Sequence, residues 1–215
     1  MEPASCYLFK SGIAIKPILF IVLTLLLASP AVAEKPLDYS DVFADAITPI
    51  LFEVLQSHHE TQCFFKDKMG VWCRLVITPR YLRQIAKDAY IASQFNPSWG
   101  NRELTAIKHL SVAFAESRFN YGCVFLNKNK TWDSGIEQVN EVNWCTSGGV
   151  SCWKKFCKKL HLDSKNKNLI FDPLVNMEYG AYLNEHFIQS DQATYIYDGK
   201  PHQHKIYQAM IDSLN

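Results

Sequence analysis

Apolar positions in this chain recur mainly at the helical period, and one short region alternates like a sheet. Between Asp38 and Ser57, a single stripe holds Val42, Phe43, Ala46, Ile47, Ile50, Leu51, Val54 and Leu55. It predicts a helix capped by Asp38 or Ser40. Pro49 lies within the stripe and is expected to break or kink it, because proline has no N–H and crowds the preceding turn. Cys63 to Ile77 is rich in aromatic and β-branched residues and predicts two short strands, with Lys68-Met69-Gly70 near their turn. Thr78-Pro79 opens a second helix running to about Phe95, with Leu82, Ile85, Ala86, Ala89 and Ala92 on one face. After the turn cluster Asn96 to Asn101, a third helix is expected from about Arg102 to Arg118, carrying Leu104, Ile107, Leu110, Val112, Phe114 and Ala115. Asn127 to Trp132 is a polar loop, and Gly135 permits a tight hairpin turn. Val150 to Leu160 and Asp172 to Gln189 read as two further helices, the second with Pro173 at its start. The fold class expected is mainly α (α+β) with a small sheet region.

The N-terminus changes the picture of where the chain works. Lys10 and Lys16 precede the apolar run Ile18 to Ala28, and Ala31-Val32-Ala33 has the small residues of a cleavage site. Residues 1–33 therefore read as a secretory signal. The mature chain, 34–215, reads as one domain: a helical and hairpin extension over about 34–100 and a core over about 101–215. The apolar run is short for a span of about 20 residues, so no stable membrane insertion is expected after cleavage. The compartment implied is periplasmic or secreted.

The formal charge of the full chain is +1, and without Lys10, Lys16 and Glu2 the basic and acidic residues balance. A neutral chain with no basic stripe has no electrostatic footprint for nucleic acid. Lys154-Lys155 and Lys158-Lys159 read as a solvated helix face. Seven cysteines are present, and Cys6 falls in the signal. The remaining six, an even number in an exported chain, suggest disulfides, with Cys63 and Cys73 bracketing the first hairpin. No metal or other cofactor is expected: Cys152 and Cys157 lack a second ligand pair, and His161 does not complete a site. His58-His59, His202 and His204 read as surface residues.

The chemistry is carried by two carboxyl blocks. Ala115-Glu116-Ser117-Arg118-Phe119-Asn120 ends an otherwise apolar helix with a carboxyl, and Asp133-Ser134-Gly135-Ile136-Glu137-Gln138-Val139-Asn140 sets another on a turn among amides. A carboxyl against apolar surface favours its protonated form, and one among polar groups stays ionised; cleavage of a glycosidic bond needs such a pair.

The same blocks carry a resemblance. Glu116-Ser117-x-Phe119 followed by Gly135-x-x-Gln138 resembles the catalytic core of the lysozyme-like lytic transglycosylases, bacterial enzymes that cut the glycan chain of peptidoglycan. The second block, continuing to Trp144-Cys145, is similar to the active-site hairpin of animal c-type lysozymes, and the Glu116-to-Asp133 spacing matches theirs. Asp172-Pro173-Leu174-Val175-Asn176 through Gly180 to Leu183 resembles the Asn-x-x-x-Gly-x-x-Leu helix of the transglycosylases. The resemblance covers roughly Thr105 to Leu183 and implies the lysozyme fold, with a small β-hairpin next to the active site. It also implies a Cys145–Cys157 bridge after the hairpin.

It further implies roles. Glu116 would protonate the bond between N-acetylmuramic acid and N-acetylglucosamine, then take the proton of the substrate's 6-hydroxyl as a 1,6-anhydro ring closes. Asp133 would support the cationic centre, or merely cap a turn. Gln138 and Asn140, placed on one face by strand alternation, would line the glycan groove with Ser134, or merely brace the loop. Glu137 stands where the family has an apolar residue and is expected to face away from Gln138, into solvent, or else to face the groove and alter the substrate subsite. Tyr197, in Tyr195-Ile196-Tyr197-Asp198-Gly199, would lie near Glu116. The partners implied are peptidoglycan strands and components of a secretion, pilus or conjugation apparatus. A lysozyme-type hydrolase, or an inactive glycan-binding module on the same fold, are the alternatives.

Overall fold

The first apolar stripe forms α1, Tyr39–Ser57, in a computed structural model that describes residues 38–57, 59, 61–66, 72–144, 150–188 and 210, with the backbone alone at 63–66, 72, 73, 150, 187 and 188. The signal segment, His58, Lys68-Met69-Gly70, Cys145, Tyr197, His202 and His204 lie outside the described residues. Pro49 sits inside α1 without ending it, against expectation. Asp38 caps the start, its carboxylate accepting from the Ser40 N–H at 3.0 Å. Ala44, Ile47, Leu51 and Leu55 are fully buried on one face of α1, and this burial outweighs the one backbone bond that proline removes.

Strands β1 (Gln62–Lys66) and β2 (Trp72–Val76) pair antiparallel, with Cys63 opposite Leu75 and Cys73 opposite Phe65. Helix α2, Pro79–Ala92, is capped by Thr78, whose hydroxyl accepts from the Tyr81 N–H. Two short 3-10 turns, Ser93–Phe95 and Pro97–Trp99, lead to α3, Arg102–Ser117. Then come β3 (Val124–Leu126), β4 (Trp132–Ser134) and β5 (Val139–Asn140), an antiparallel three-stranded sheet. Helices α4 (Val150–Lys159) and α5 (Pro173–Ile188) follow, with short 3-10 turns at Glu141–Asn143 and Lys167–Phe171. The architecture is mainly helical, with two small sheets. Among the described residues no helix is long and apolar enough to cross a membrane.

Two cores hold these elements. One gathers α1, α2 and α3 and takes in Ile136, Met177 and Met210. The other is aromatic: Trp153, Phe156 and Tyr179 pack with ring centroids 4.8–5.8 Å apart, beside Trp144 and Phe95. Cys157 is buried in this second core as a free thiol, pushed up to about 11 by burial. The expected Cys145–Cys157 bridge is therefore not formed. The α4 turn that carries Cys157 faces inward, because Trp153 and Phe156 claim the same helix face. Cys152 is also a free thiol.

Where α2 packs on α5, two carboxyls are buried. Asp88 is raised to about 6 and Glu178 to about 7, chiefly by burial, with Asp172 adding to both. Their ordinary values are 3.8 and 4.5, so folding favours their protonated forms. The stability they confer is complete below about pH 4 and is lost as pH rises through 6 to 7. At about 1.4 kcal/mol per pK unit each of the two groups corresponds to at most on the order of 3 kcal/mol. The melting temperature should fall between about pH 4 and pH 7, and Asp88→Asn with Glu178→Gln should flatten that slope. An equally steep fall in the double variant, followed by calorimetry across the range, would show that other groups cause it.

Candidate active site

Glu116 owes its place to how α3 stops. Asn101 caps the helix start by accepting from the Leu104 N–H at 2.8 Å. At the far end, Arg118 and Phe119 both take left-handed conformations, φ 55° and 61°, which side chains adopt only under constraint. Phe119 supplies it: the ring is fully buried, 5.5 Å from Phe114, and the Tyr81 hydroxyl donates to its carbonyl. The chain leaves the helix directly after Ser117. Glu116, half-buried on the last turn, stands at that break.

The second block is pinned to this helix and to α5. Gly135 makes the turn between β4 and β5 at φ +82°. The Ser117 hydroxyl donates to the Ile136 carbonyl at 2.6 Å. Asn176 on α5 reads three backbone groups with one amide. Its Nδ2 donates to the carbonyls of Ser134 at 3.0 Å and Ile170 at 2.8 Å, and its Oδ1 accepts from the Glu137 N–H at 2.8 Å. A Cβ on Gly135 would lie 2.2 Å from that amide nitrogen. The three sequence blocks thus meet: the end of α3, the hairpin, and the Asn176–Gly180 turn of α5.

Directly opposite residues of an antiparallel pair share a face. Phe125, Asp133 and Asn140 are such partners across the three strands. The Asn140 amide donates to Asp133 Oδ1 at 2.6 Å and to the Thr131 hydroxyl at 2.9 Å. Phe125 is 60% exposed. This face therefore sets a held carboxyl and an amide beside open aromatic surface, the mixture of a few fixed polar groups and apolar lining found in ligand sites.

Other predicted residues are placed differently. Gln138 has φ 51° and precedes β5, so strand alternation does not set its direction. Its amide donates to the carbonyls of Gly135 at 2.7 Å and Cys123 at 3.1 Å, bracing the turn. Ser134 is buried, at 3% exposure. Glu137 is not solvated, against expectation: it is buried and its Oε1 lies 2.6 Å from His109 Nδ1. The turn at Gln138 reverses the alternation that placed Glu137 outside. Burial raises the Glu137 pKa, His109 opposes that, and the Glu116 charge adds to it. His109 was not singled out by motif. The signal was its position seven residues before Glu116, on the same side of α3 within an apolar run. Among the described residues no three His, Cys, Asp or Glu side chains gather where a metal ion could sit. No protein-family model, curated protein or solved structure matches this chain.

Proposed function

We propose that the chain is a lysozyme-like lytic transglycosylase of the periplasm or secreted space, cutting peptidoglycan between N-acetylmuramic acid and N-acetylglucosamine. One observation carries this reading: Glu116 directly precedes Ser117, whose hydroxyl ties the end of α3 to the Ile136 carbonyl of the Asp133–Asn140 hairpin, which Asn176 in turn seats on α5. Glu116 donates its proton to the glycosidic oxygen as the C1–O4 bond breaks. The resulting carboxylate takes the proton of the 6-hydroxyl, and that oxygen closes on C1 as a 1,6-anhydro ring. The proton is returned and no water is consumed. The exposed Phe125 offers a sugar ring an apolar face, beside the polar groups of Asp133 and Asn140. Local wall opening for a secretion, pilus or conjugation apparatus suits a single catalytic domain of this size. The test is a digest of purified sacculi by the mature chain, read by mass spectrometry. Anhydro-muropeptides support the reading. Sacculus binding without any cleavage would leave a glycan-binding module.

A hydrolase is the second reading, favoured by the Asn140 amide that holds the Asp133 carboxyl at 2.6 Å. A lysozyme-type reaction uses such a carboxylate at the cationic centre. Asp133→Asn separates the two. A transglycosylase relying on the substrate's N-acetyl group should keep measurable anhydro product, within about tenfold of wild type, because little charge stabilisation is lost. Near-total loss, with reducing ends as the wild-type product, would establish the hydrolase.

A further inference from the structure

Glu137 belongs to the hairpin but not to the sheet face that carries Asp133 and Asn140. Its side chain is 3% exposed and that of His109 is 0% exposed, with 2.6 Å between Oε1 and Nδ1. Two ionisable groups withdrawn from water rarely add stability over a well-packed apolar pair, so packing alone does not account for them. The surroundings are shaped to admit them. A Cβ at Gly180 would fall 2.1 Å from Glu137 Oε2, so only glycine leaves α5 low enough there. The Trp99 ring stacks on the imidazole at 5.1 Å. His109 Nε2 is buried with no hydrogen-bond partner among the described residues, so the ring directs its one bond to Glu137.

The pair also lies along the helix that matters. His109 precedes Glu116 by two turns, about 10 Å along the axis. Ser117, one residue further on, holds the carbonyl of Ile136, the neighbour of Glu137. Glu116 acts electrostatically on Glu137, and the Lys108 Nζ lies 5.8 Å from the Trp99 ring that stacks on His109. From α5 the pair meets Gly180.

We propose that the buried His109–Glu137 pair is a positioning element for Glu116: it ties the hairpin bearing Asp133 to the helix bearing Glu116, two turns before that carboxyl. The proposal rests on the transglycosylase reading only for the role given to Glu116. Two measurements test it. In the full chain labelled with ¹⁵N-histidine, the His109 imidazole signals are compared at one pH in wild type and in Glu116→Gln. A pair structurally coupled to Glu116 shows displaced His109 signals in the variant. Identical His109 signals in the two proteins overturn the proposal, whether or not the chain degrades peptidoglycan.

The second measurement is turnover on sacculi. Glu137→Met should lower kcat by roughly ten- to a hundredfold, the scale of a misplacement of about 1 Å, with KM little changed. Glu137→Gln keeps an acceptor for the imidazole N–H and should recover most of the rate. The double variant His109→Phe with Glu137→Met restores an apolar contact. It should melt no lower than wild type and remain slow. Wild-type turnover in that double variant shows packing alone and overturns the proposal. An inactive wild type instead sinks the transglycosylase reading, and the imidazole signals then decide the pair.

Discussion

Glu116→Gln should cost the chain at least about a hundredfold in turnover on sacculi, the lower end of what a positioned general acid–base contributes. Glutamine has nearly the same shape, so the half-buried last turn of α3 need not repack. What disappears is the transferable proton. Both halves of the proposed reaction pass through it, first to the leaving oxygen and then from the 6-hydroxyl. Neither carboxyl of the hairpin can replace it: Glu137 is buried against His109, and Asp133 is held by Asn140 on the sheet. Circular dichroism and melting should stay close to wild type. Turnover within a few-fold of wild type, in a variant with unaltered melting, would end the mechanism.

Gly135→Ala should instead unfold part of the site. At φ +82° an alanine is strained whatever space it finds. Here it finds none: the new Cβ would lie 2.2 Å from Asn176 Nδ2 and 2.5 Å from the Ile170 carbonyl oxygen. The side chain of Asn176 can swing away, but the backbone of Ile170 cannot. Moving Asn176 abandons its bonds to Ser134, Ile170 and Glu137. Left-handed strain of about 1–3 kcal/mol and buried hydrogen bonds at about 1 kcal/mol each together suggest a loss of roughly 3 kcal/mol or more. For a domain of this size that lowers the melting temperature by roughly 6–12 °C. Activity should fall with it, since the hairpin is then no longer seated on α5. A melting temperature within about 2 °C of wild type would show that Asn176 is not the clamp described here. The contrast with Glu116→Gln is the useful part, because one variant removes chemistry and the other removes placement.

Much of the frame was legible in the sequence because it rests on local rules. Apolar period placed α1, α2 and α3 within a few residues of where they lie. Thr78-Pro79 and Asp172-Pro173 marked helix starts by cap chemistry, and Gly135 marked a turn that needs positive φ. The motif blocks around Glu116, Asp133 and Asn176 were visible as residue types in order. Pro49 departs from the local rule, because four fully buried side chains hold α1 on its neighbours despite the backbone bond it lacks.

The composition and periodicity of this chain by themselves determined a mainly helical domain with one polar block set between apolar helices. Local patterns could do this because caps, turns and stripes are read by neighbours a few residues apart. Which polar groups meet was decided only by tertiary structure. Glu137 went inward to His109, 28 residues away, because the turn at Gln138 reverses strand alternation and Gly180 leaves room for a carboxylate. Gln138 turned its amide onto the backbone, while Asn140 kept its hold on Asp133. Cys157 stayed a thiol because Trp153 and Phe156 carry its helix face into an aromatic core. Each of these outcomes depends on contacts between distant segments, where a hydrogen bond or a missing Cβ on one element selects the orientation of a side chain on another.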